Sequence, residues 1–293
     1  MQTGIRPLGR ERFWLFLLLA PTLLGLLFGA FGSVLASIFI SLTSWDLLTP
    51  PEWVGLQNYL DLLSDRTFLQ SLRITTQFAF MYVPGVIVLS LAVALLLNRR
   101  IRGVSFFRVL FFLPVISSSV AIGLLWTWIY AQDNGLLNYI ITSFGGEPVR
   151  WLGRDLALYS VTLVNIWGAV GEGMIIFLAG LQAVPRDYYE AATLDGASGR
   201  QRLFNITLPL IVPSIFFQAV ISTINAFQAF EYIYILTRTS SGGSTTPTLV
   251  FTIYRNGFNY FRMGQASAQA LVLAVIIFVL TLIYFRIQRR WVV

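Results

Sequence analysis

From Trp14 to Ile40 the chain runs for 27 residues without a charged side chain. About 20 apolar residues are enough to carry a helix across the hydrocarbon core of a bilayer. Lipid offers the backbone no hydrogen-bond partners, so a helix, which satisfies its own N–H and C=O groups, is the default. Arg6, Arg10 and Arg12 precede the run as they would in a secretory signal. A signal core, however, is only about 7–15 residues long, so the stretch reads as a retained first transmembrane helix. At about 1.5 Å per residue it reaches roughly 40 Å and has to tilt or project beyond the bilayer.

Further apolar runs place spanning helices at roughly 14–40, 74–97, 109–130, 156–181, 208–230 and 267–285. The expected fold class is an all-α integral membrane protein with six transmembrane helices. Charged residues make up 11% of the chain, against about 25% in soluble domains, which leaves no room for a soluble reading. Thirteen arginines fall in the N-tail, the 98–108 and 182–207 loops and the C-tail, and seven in the remaining segments. The positive-inside rule puts the first set, with both termini, in the cytoplasm. The segments 41–73, 131–155 and 231–266 then face outward. The last contains Ser240-Ser241-Gly242-Gly243-Ser244.

Composition also removes whole classes of chemistry. There is no Cys and no His, and all twenty basic residues are Arg. Disulfides, thiol catalysis and the commonest general base and metal ligand are absent. So are a Schiff-base lysine and the lysine of a phosphate-binding loop. The net charge of +7 follows from topology and is not read as a nucleic-acid footprint.

The polar hairpin Glu190 to Pro209 carries the most specific pattern. It reads Glu190-Ala191-Ala192, Gly196, then Ile206, Leu208 and Pro209. A short helix from Pro185 to Leu194 is expected, with Pro at a tolerated first-turn position. Gly196 suits a left-handed turn that ends it, and Pro209 is expected to restart a helix near its N-terminus. The plain alternative is an ordinary cytoplasmic connector whose acids and arginines form a solvated surface. The spacing resembles the "EAA" loop of the membrane subunits of bacterial ABC importers, at all seven family positions. Arg108 to Tyr130, with its Phe111-Phe112-Leu113-Pro114 entry, is similar to the third helix of carbohydrate-type permeases of that group. So are the stretch from Leu236 through Thr248-Leu249 to Ile253-Tyr254 and the tail Phe285 to Val292. Gly242-Gly243-Ser244 departs from the usual Gly-Gly-Pro. The resemblance implies an ABC importer type-1 transmembrane fold of the maltose or glycerol-phosphate permease kind. It implies that Glu190, Ala191, Ala192, Asp195, Gly196, Ile206, Leu208 and Pro209 couple the chain to an ATPase.

Two features bear on a substrate. Glu172 lies mid-helix among Gly168, Gly171 and Gly173, and an ionisable group facing lipid costs at least about 2.5 kcal/mol. It therefore faces a cavity or a partner; the alternative is a structural Glu, protonated or paired with Arg. Ser222, Asn225 and Gln228 recur every third residue, with Glu231 and Tyr232 continuing the stripe, and serve either as interhelical hydrogen-bond glue or as sugar ligands. The resemblance puts Glu172 and Ser222 on sugar-facing positions, with Asn165, Trp167 and Gln228 close by.

The domain reading that follows is an N-tail 1–13, a first helix with external loop 14–69, a type-1 core 70–286 containing the 190–209 loop, and a C-tail 287–293. The expected function is a non-enzymatic permease subunit in the bacterial inner membrane, moving a sugar or polyol by alternating access. Expected partners are a second homologous permease, two ATPase subunits, an external solute-binding protein, the sugar and the lipid bilayer; no nucleic acid is expected. No cofactor or metal is expected on this chain, ATP and magnesium being used by the ATPase. The alternative is a stand-alone secondary transporter or channel with Glu172 as a proton or ion relay.

Overall fold

The apolar runs form helices in a computed structural model of the chain, which describes residues 9–99, 102–238 and 246–291. Arg6, Arg100, the Ser240–Ser244 loop and Val292 lie outside the described residues, as do the side chains of Arg10, Arg12, Arg289 and Arg290. The helices are α1 (Phe13–Ser41), α2 (Gln57–Ser64), α3 (Arg66–Leu97), α4 (Val104–Ile116), α5 (Ser119–Ile129), α6 (Leu136–Ser143), α7 (Ala157–Ala183), α8 (Arg186–Leu194), α9 (Gly199–Leu210), α10 (Val212–Phe227), α11 (Glu231–Arg238), α12 (Leu249–Tyr254) and α13 (Met263–Trp291). A two-residue hairpin, β1 (Thr43–Ser44) with β2 (Glu52–Trp53), is the one departure from an all-α chain among the described residues. By contact the chain divides into residues 65–252 with 273–293, and residues 1–64 with 253–272.

The larger unit is organised around α7, which packs against α3, α4, α10 and α11. Within a bilayer no hydrophobic drive pulls helices together, so close backbone approach and buried hydrogen bonds do the work. Glycines on α7 provide that approach. A Cβ on Gly171 would sit 3.0 Å from Cα of Phe112 and 2.9 Å from Cγ2 of Val115, and closer still to the Phe111 carbonyl oxygen. A Cβ on Gly173 would sit 2.7 Å from Cβ of Ser90, and one on Gly180 would sit 3.0 Å from Cβ of Ser214. Ser90 Oγ donates to the Val170 carbonyl at 3.1 Å, a buried bond from α3 to α7. Phe177, Met174, Leu178 and Leu181 of α7 close the core with Ala94, Leu97, Val184 and Ile211.

Two expected spans differ from simple rods. The 109–130 run is two helices, α4 and α5, meeting at 98°. Their joint is Ser117 and Ser118, both extended, just after Pro114 in the last turn of α4. Thirteen and eleven residues reach only about 20 and 17 Å, so neither arm alone crosses about 30 Å of hydrocarbon. The 208–230 run is likewise part of a bent pair, α9 and α10, joined at 65° around Ile211. Pro213, at the start of α10, lacks the N–H that would bond back across this joint. Four helices, α1, α3, α7 and α13, are long and apolar enough to cross a membrane among the described residues, and six if each bent pair is one span. The second span begins at Arg66 rather than near 74, because Asp65 accepts a hydrogen bond from the Thr67 N–H at 2.8 Å and caps the helix there.

In the smaller unit, buried Asn58 gathers the chain after α1 by donating to the carbonyls of Ser41 and Thr43, at 2.8 and 2.9 Å. The Met263 N–H donates to the Trp45 carbonyl at 2.9 Å, tying the start of α13 to the same loop. Asp46 accepts from Leu48 N–H, Thr49 N–H and the Thr49 hydroxyl. These bonds hold its carboxyl below the ordinary carboxylate range. Asn256 and Gln269 form a buried amide pair at 3.1 Å.

Substitution of Gly171 tests the packing. Gly171→Ala sets a methyl against a backbone carbonyl that cannot rotate away, and such overpacking typically costs about 1–3 kcal/mol. The variant is expected to lower the thermal midpoint of the purified protein, whereas Gly25→Ala, where nothing lies within 4 Å, leaves it unchanged. Equal midpoints would show that α4 and α7 do not meet there.

Candidate functional site

The Glu190 hairpin folds as a tied elbow. Pro185 is the residue before α8 and not its first turn, its fixed φ suiting an entry position. The helix ends in a Schellman arrangement. Gly196 sits at φ +75°, its N–H bonds the Thr193 carbonyl at 3.1 Å, and the Ala197 N–H bonds the Ala192 carbonyl at 2.8 Å. Ser198 then opens α9 with a reciprocal capping box to Gln201. The second arm thus starts at Gly199, ten residues before Pro209, which correspondingly does not restart a helix. Pro209 lies just after a wider π turn, Leu203–Thr207, which accommodates a ring that has no N–H to give to the preceding turn.

Two side-chain bonds hold the arms together. Tyr189 and Thr207 hydroxyls lie 3.0 Å apart, and Arg202 Nη1 donates to Thr193 Oγ1 at 3.0 Å. Ala192 is buried, Leu208 and Tyr189 pack on the core cluster, and Ile206 is half-buried. Glu190, Ala191, Asp195, Gly196 and Pro209 are exposed. Leu194 is 90% exposed, far more than an apolar side chain needs. One face of the expected coupling set is therefore buried anchor, and the other is a free surface of mixed charge and apolar character.

The polar residues around mid-helix α7 separate into two groups. Asn165 and Glu172 are seven residues apart, so at about 100° per residue they share a face. Asn165 Nδ2 donates to the Val161 carbonyl at 2.8 Å, and Glu172 is exposed. Tyr82 of α3 is within electrostatic reach of Glu172 and of Tyr232, whose hydroxyl abuts Gly168. Trp167 points elsewhere, about 140° round the helix from Glu172. Its ring meets Trp126 of α5 edge-on at 5.7 Å, which corrects its expected place beside Glu172.

The expected stripe on α10 also divides. Residues three apart drift by about 60° per step on a 3.6-residue helix, so Ser222 and Gln228 end about 120° apart. Ser222 is 1% exposed and accepts from Gln218 Nε2 at 2.9 Å, while Asn225 and Gln228 are exposed. Gln228 already lies past the end of α10, and Glu231 begins α11. The stripe therefore does not continue through Glu231 and Tyr232. Gln218 escaped the sequence reading although its i, i+4 spacing to Ser222 gives the better face match. Its Nε2 lies 3.2 Å from where a Cβ of Gly173 would be, and its buried Oε1 has no partner. No cluster of acidic residues able to hold a metal is present among the described residues.

Residues 86–293 match the family model described as binding-protein-dependent transport system inner membrane component. The chain belongs to this family. Permease subunits of this kind are transport proteins and not enzymes. The chain is 39% identical to the probable ABC transporter permease YesP of Bacillus subtilis, over 94% of its own length and 90% of the relative's. It is 34% identical to the trehalose/maltose transport system permease MalF of Thermococcus litoralis, over 94% and 93% of the two chains. Its fold matches a chain of a bacterial alginate ABC transporter, solved in complex with an alginate pentasaccharide-bound periplasmic protein. That match has a TM-score of 0.85 at 23% identity, covering 96% of both chains. The type-1 permease architecture and an inner-membrane placement follow from family and fold together.

The left-handed turn of this family member is open to a direct test. A side chain at φ +75° costs roughly 1–2 kcal/mol that glycine avoids. Gly196→Ala is expected to speed amide hydrogen exchange at Ala197, whose bond closes the elbow, with no change in α3 or α7. Unchanged exchange at Ala197 would mean that the turn does not depend on glycine.

Proposed function

We propose that this chain is one permease subunit of an ATP-driven importer for a sugar or related polyol. It pairs with a second, similar permease and two ATPase subunits, and an external solute-binding protein delivers substrate to the outward segments 41–73 and 231–266. The elbow α8–α9 docks on the ATPase, with Glu190 facing an Arg of that partner. ATP and magnesium act in the ATPase, and this chain binds no cofactor. Closure of the ATPase pair drives the elbow, and the elbow moves the spans to which Leu208 and Tyr189 anchor it. Access to the site then alternates between the two sides.

The observation that carries this reading is the elbow's division of labour. One side is locked into the core by Ala192, Leu208 and Tyr189, and the other presents Glu190, Asp195 and Leu194 to solvent. A rod tied at Tyr189–Thr207 and Thr193–Arg202 transmits force without bending, as a rigid-body switch requires. Both termini and the elbow lie in the cytoplasm on this reading, as the arginine distribution favours. The trehalose/maltose relative, and the polar residues Asn165, Glu172, Asn225 and Gln228, with no Arg among them, taken as the substrate face on this reading, favour a neutral polyhydroxylated substrate. Trp167 and Ser222 support packing on this reading. A stand-alone transporter using Glu172 as a relay fits poorly with membership of a binding-protein-dependent family.

Glu190→Arg is expected to reduce uptake in reconstituted vesicles to background while the protein still inserts. A Ser198→Cys probe is expected to label only after permeabilisation. Normal uptake by the first variant, or external labelling of the second, contradicts the coupling role. At the substrate face, a hydrogen bond to a charged group is worth about 1.5–3 kcal/mol and a neutral one about 0.5–1.5. Glu172→Ala is therefore expected to impair flux more than Gln228→Ala, with capture by the binding protein unchanged. Wild-type flux in both would place the substrate elsewhere.

A further inference from the structure

Beyond the end of α5 the chain forms a cleft of about 620 Å³, lined by Trp128, Gln132, Asp133, Asn134, Tyr139 and Thr142 among others. Its volume falls within the roughly 300–1,000 Å³ of small-molecule sites. Trp128 and Tyr139 are 53% and 71% exposed, and Gln132, Asp133, Asn134 and Thr142 are exposed as well. The rim is held by one buried residue. Asn138 donates to the carbonyls of Ala131, Gln132 and Val149, at 3.3, 3.0 and 2.9 Å. It also accepts from the Val149 N–H at 2.9 Å and Trp151 Nε1 at 3.1 Å. Trp151 in turn packs on Tyr130 with ring centroids 5.9 Å apart, so the rim is fastened to the core and little ordering is left for a ligand to impose.

We propose that this cleft is an outer subsite for a neutral sugar ring, separate from the face around Glu172. The chemistry selects the ligand class. Two aromatic side chains offer apolar faces of the size of a pyranose ring. Amide, hydroxyl and carboxylate groups beside them accept and donate hydrogen bonds to hydroxyls. Asp133 with no Arg in the lining disfavours a phosphate or a carboxylate ligand. The cleft lies in the 131–155 segment and its approach from α5, on the face that the arginine count puts outside. A sugar held there waits ahead of the transmembrane site. The inference rests on the reading of the chain as a sugar permease.

The test uses the intact importer in nanodiscs without its binding protein, with maltose and trehalose as probes in saturation-transfer NMR. Measured on a Glu172→Gln background, which weakens binding at the transmembrane face, saturation of the sugar is expected to persist, and most of it to be lost when Trp128→Ala or Asp133→Asn is added. Asp133→Asn changes one exposed group without altering shape, so it guards against a folding artefact in Trp128→Ala. In the complete system, with binding protein, the two cleft variants are expected to raise the KM for uptake several-fold and leave the maximal rate unchanged. Saturation that survives both cleft variants on that background, or is already absent from Glu172→Gln alone, overturns the subsite. So does a KM that stays put while the binding-protein concentration needed to stimulate the ATPase rises, which assigns the cleft to protein docking. So does poor membrane insertion of both variants, which assigns it to lipid anchoring. Uptake of either sugar without any saturation overturns the subsite alone, whereas failure of the wild-type importer to take up either sugar removes the sugar reading and the subsite with it.

Discussion

The larger unit depends on the absence of side chains at Gly171, Gly173 and Gly180, where α7 lies directly against the backbone of α4 and the serines of α3 and α10. A soluble core gains from removing apolar area from water, but spans in lipid gain nothing that way and rely on contact distance. The same three positions set where Glu172 comes to lie. With a glycine on each side drawn towards a neighbouring helix, the residue between them is left on the open side of α7, exposed in this chain. A carboxylate so placed avoids lipid only by facing a hydrated cavity or a partner, which is why the packing of α7 and the proposed substrate site are one problem.

The elbow solves a different problem. A cytoplasmic connector that only links two spans has no need of two side-chain ties, a glycine at positive φ and a reciprocal cap within some twenty residues. Each device removes a freedom: Gly196 fixes the reversal, Ser198 and Gln201 fix the start of α9, and Tyr189–Thr207 fixes the angle between the arms. What remains unsatisfied is outward, at Leu194 and the carboxylates around it. An exposed leucine at 90% beside Glu190 and Asp195 suits a partner that offers an apolar floor and a basic rim. Stiffness within and incompleteness at the surface are what a mechanical joint between two subunits needs.

The elbow was legible in the sequence because it is local: the motif spacing and the turn glycine are read within one stretch, although the Ser198–Gln201 cap that starts the second arm was missed and Pro209 was expected in its place. The apolar runs announced the membrane class for the same reason. The break at Ser117 was hidden, because the run on both sides of it is apolar and hydropathy does not register a turn. Pro114 followed by three serines was the available signal. The proposed substrate face was half legible. Counting every third residue on α10 joined Ser222 to Gln228 across about 120° of helix, whereas counting by four would have found Gln218. Trp167 was placed close to Glu172 on the strength of the family resemblance, although on an α-helix residues five apart turn to different sides. Asn58 and Asn138 could not be foreseen, since each binds backbone carbonyls whose approach depends on the finished fold.

The central claim is that the exposed face of α8 touches an ATPase. A photoreactive amino acid placed at Leu194, in cells expressing the whole importer, tests it most directly. Irradiation is expected to join this chain to the ATPase subunit, more strongly or more weakly as nucleotide is added, while the same probe at exposed Phe80 of α3 gives no such product. A Leu194 probe that captures only lipid or solvent, in an assembly shown to contain the ATPase, would contradict the account.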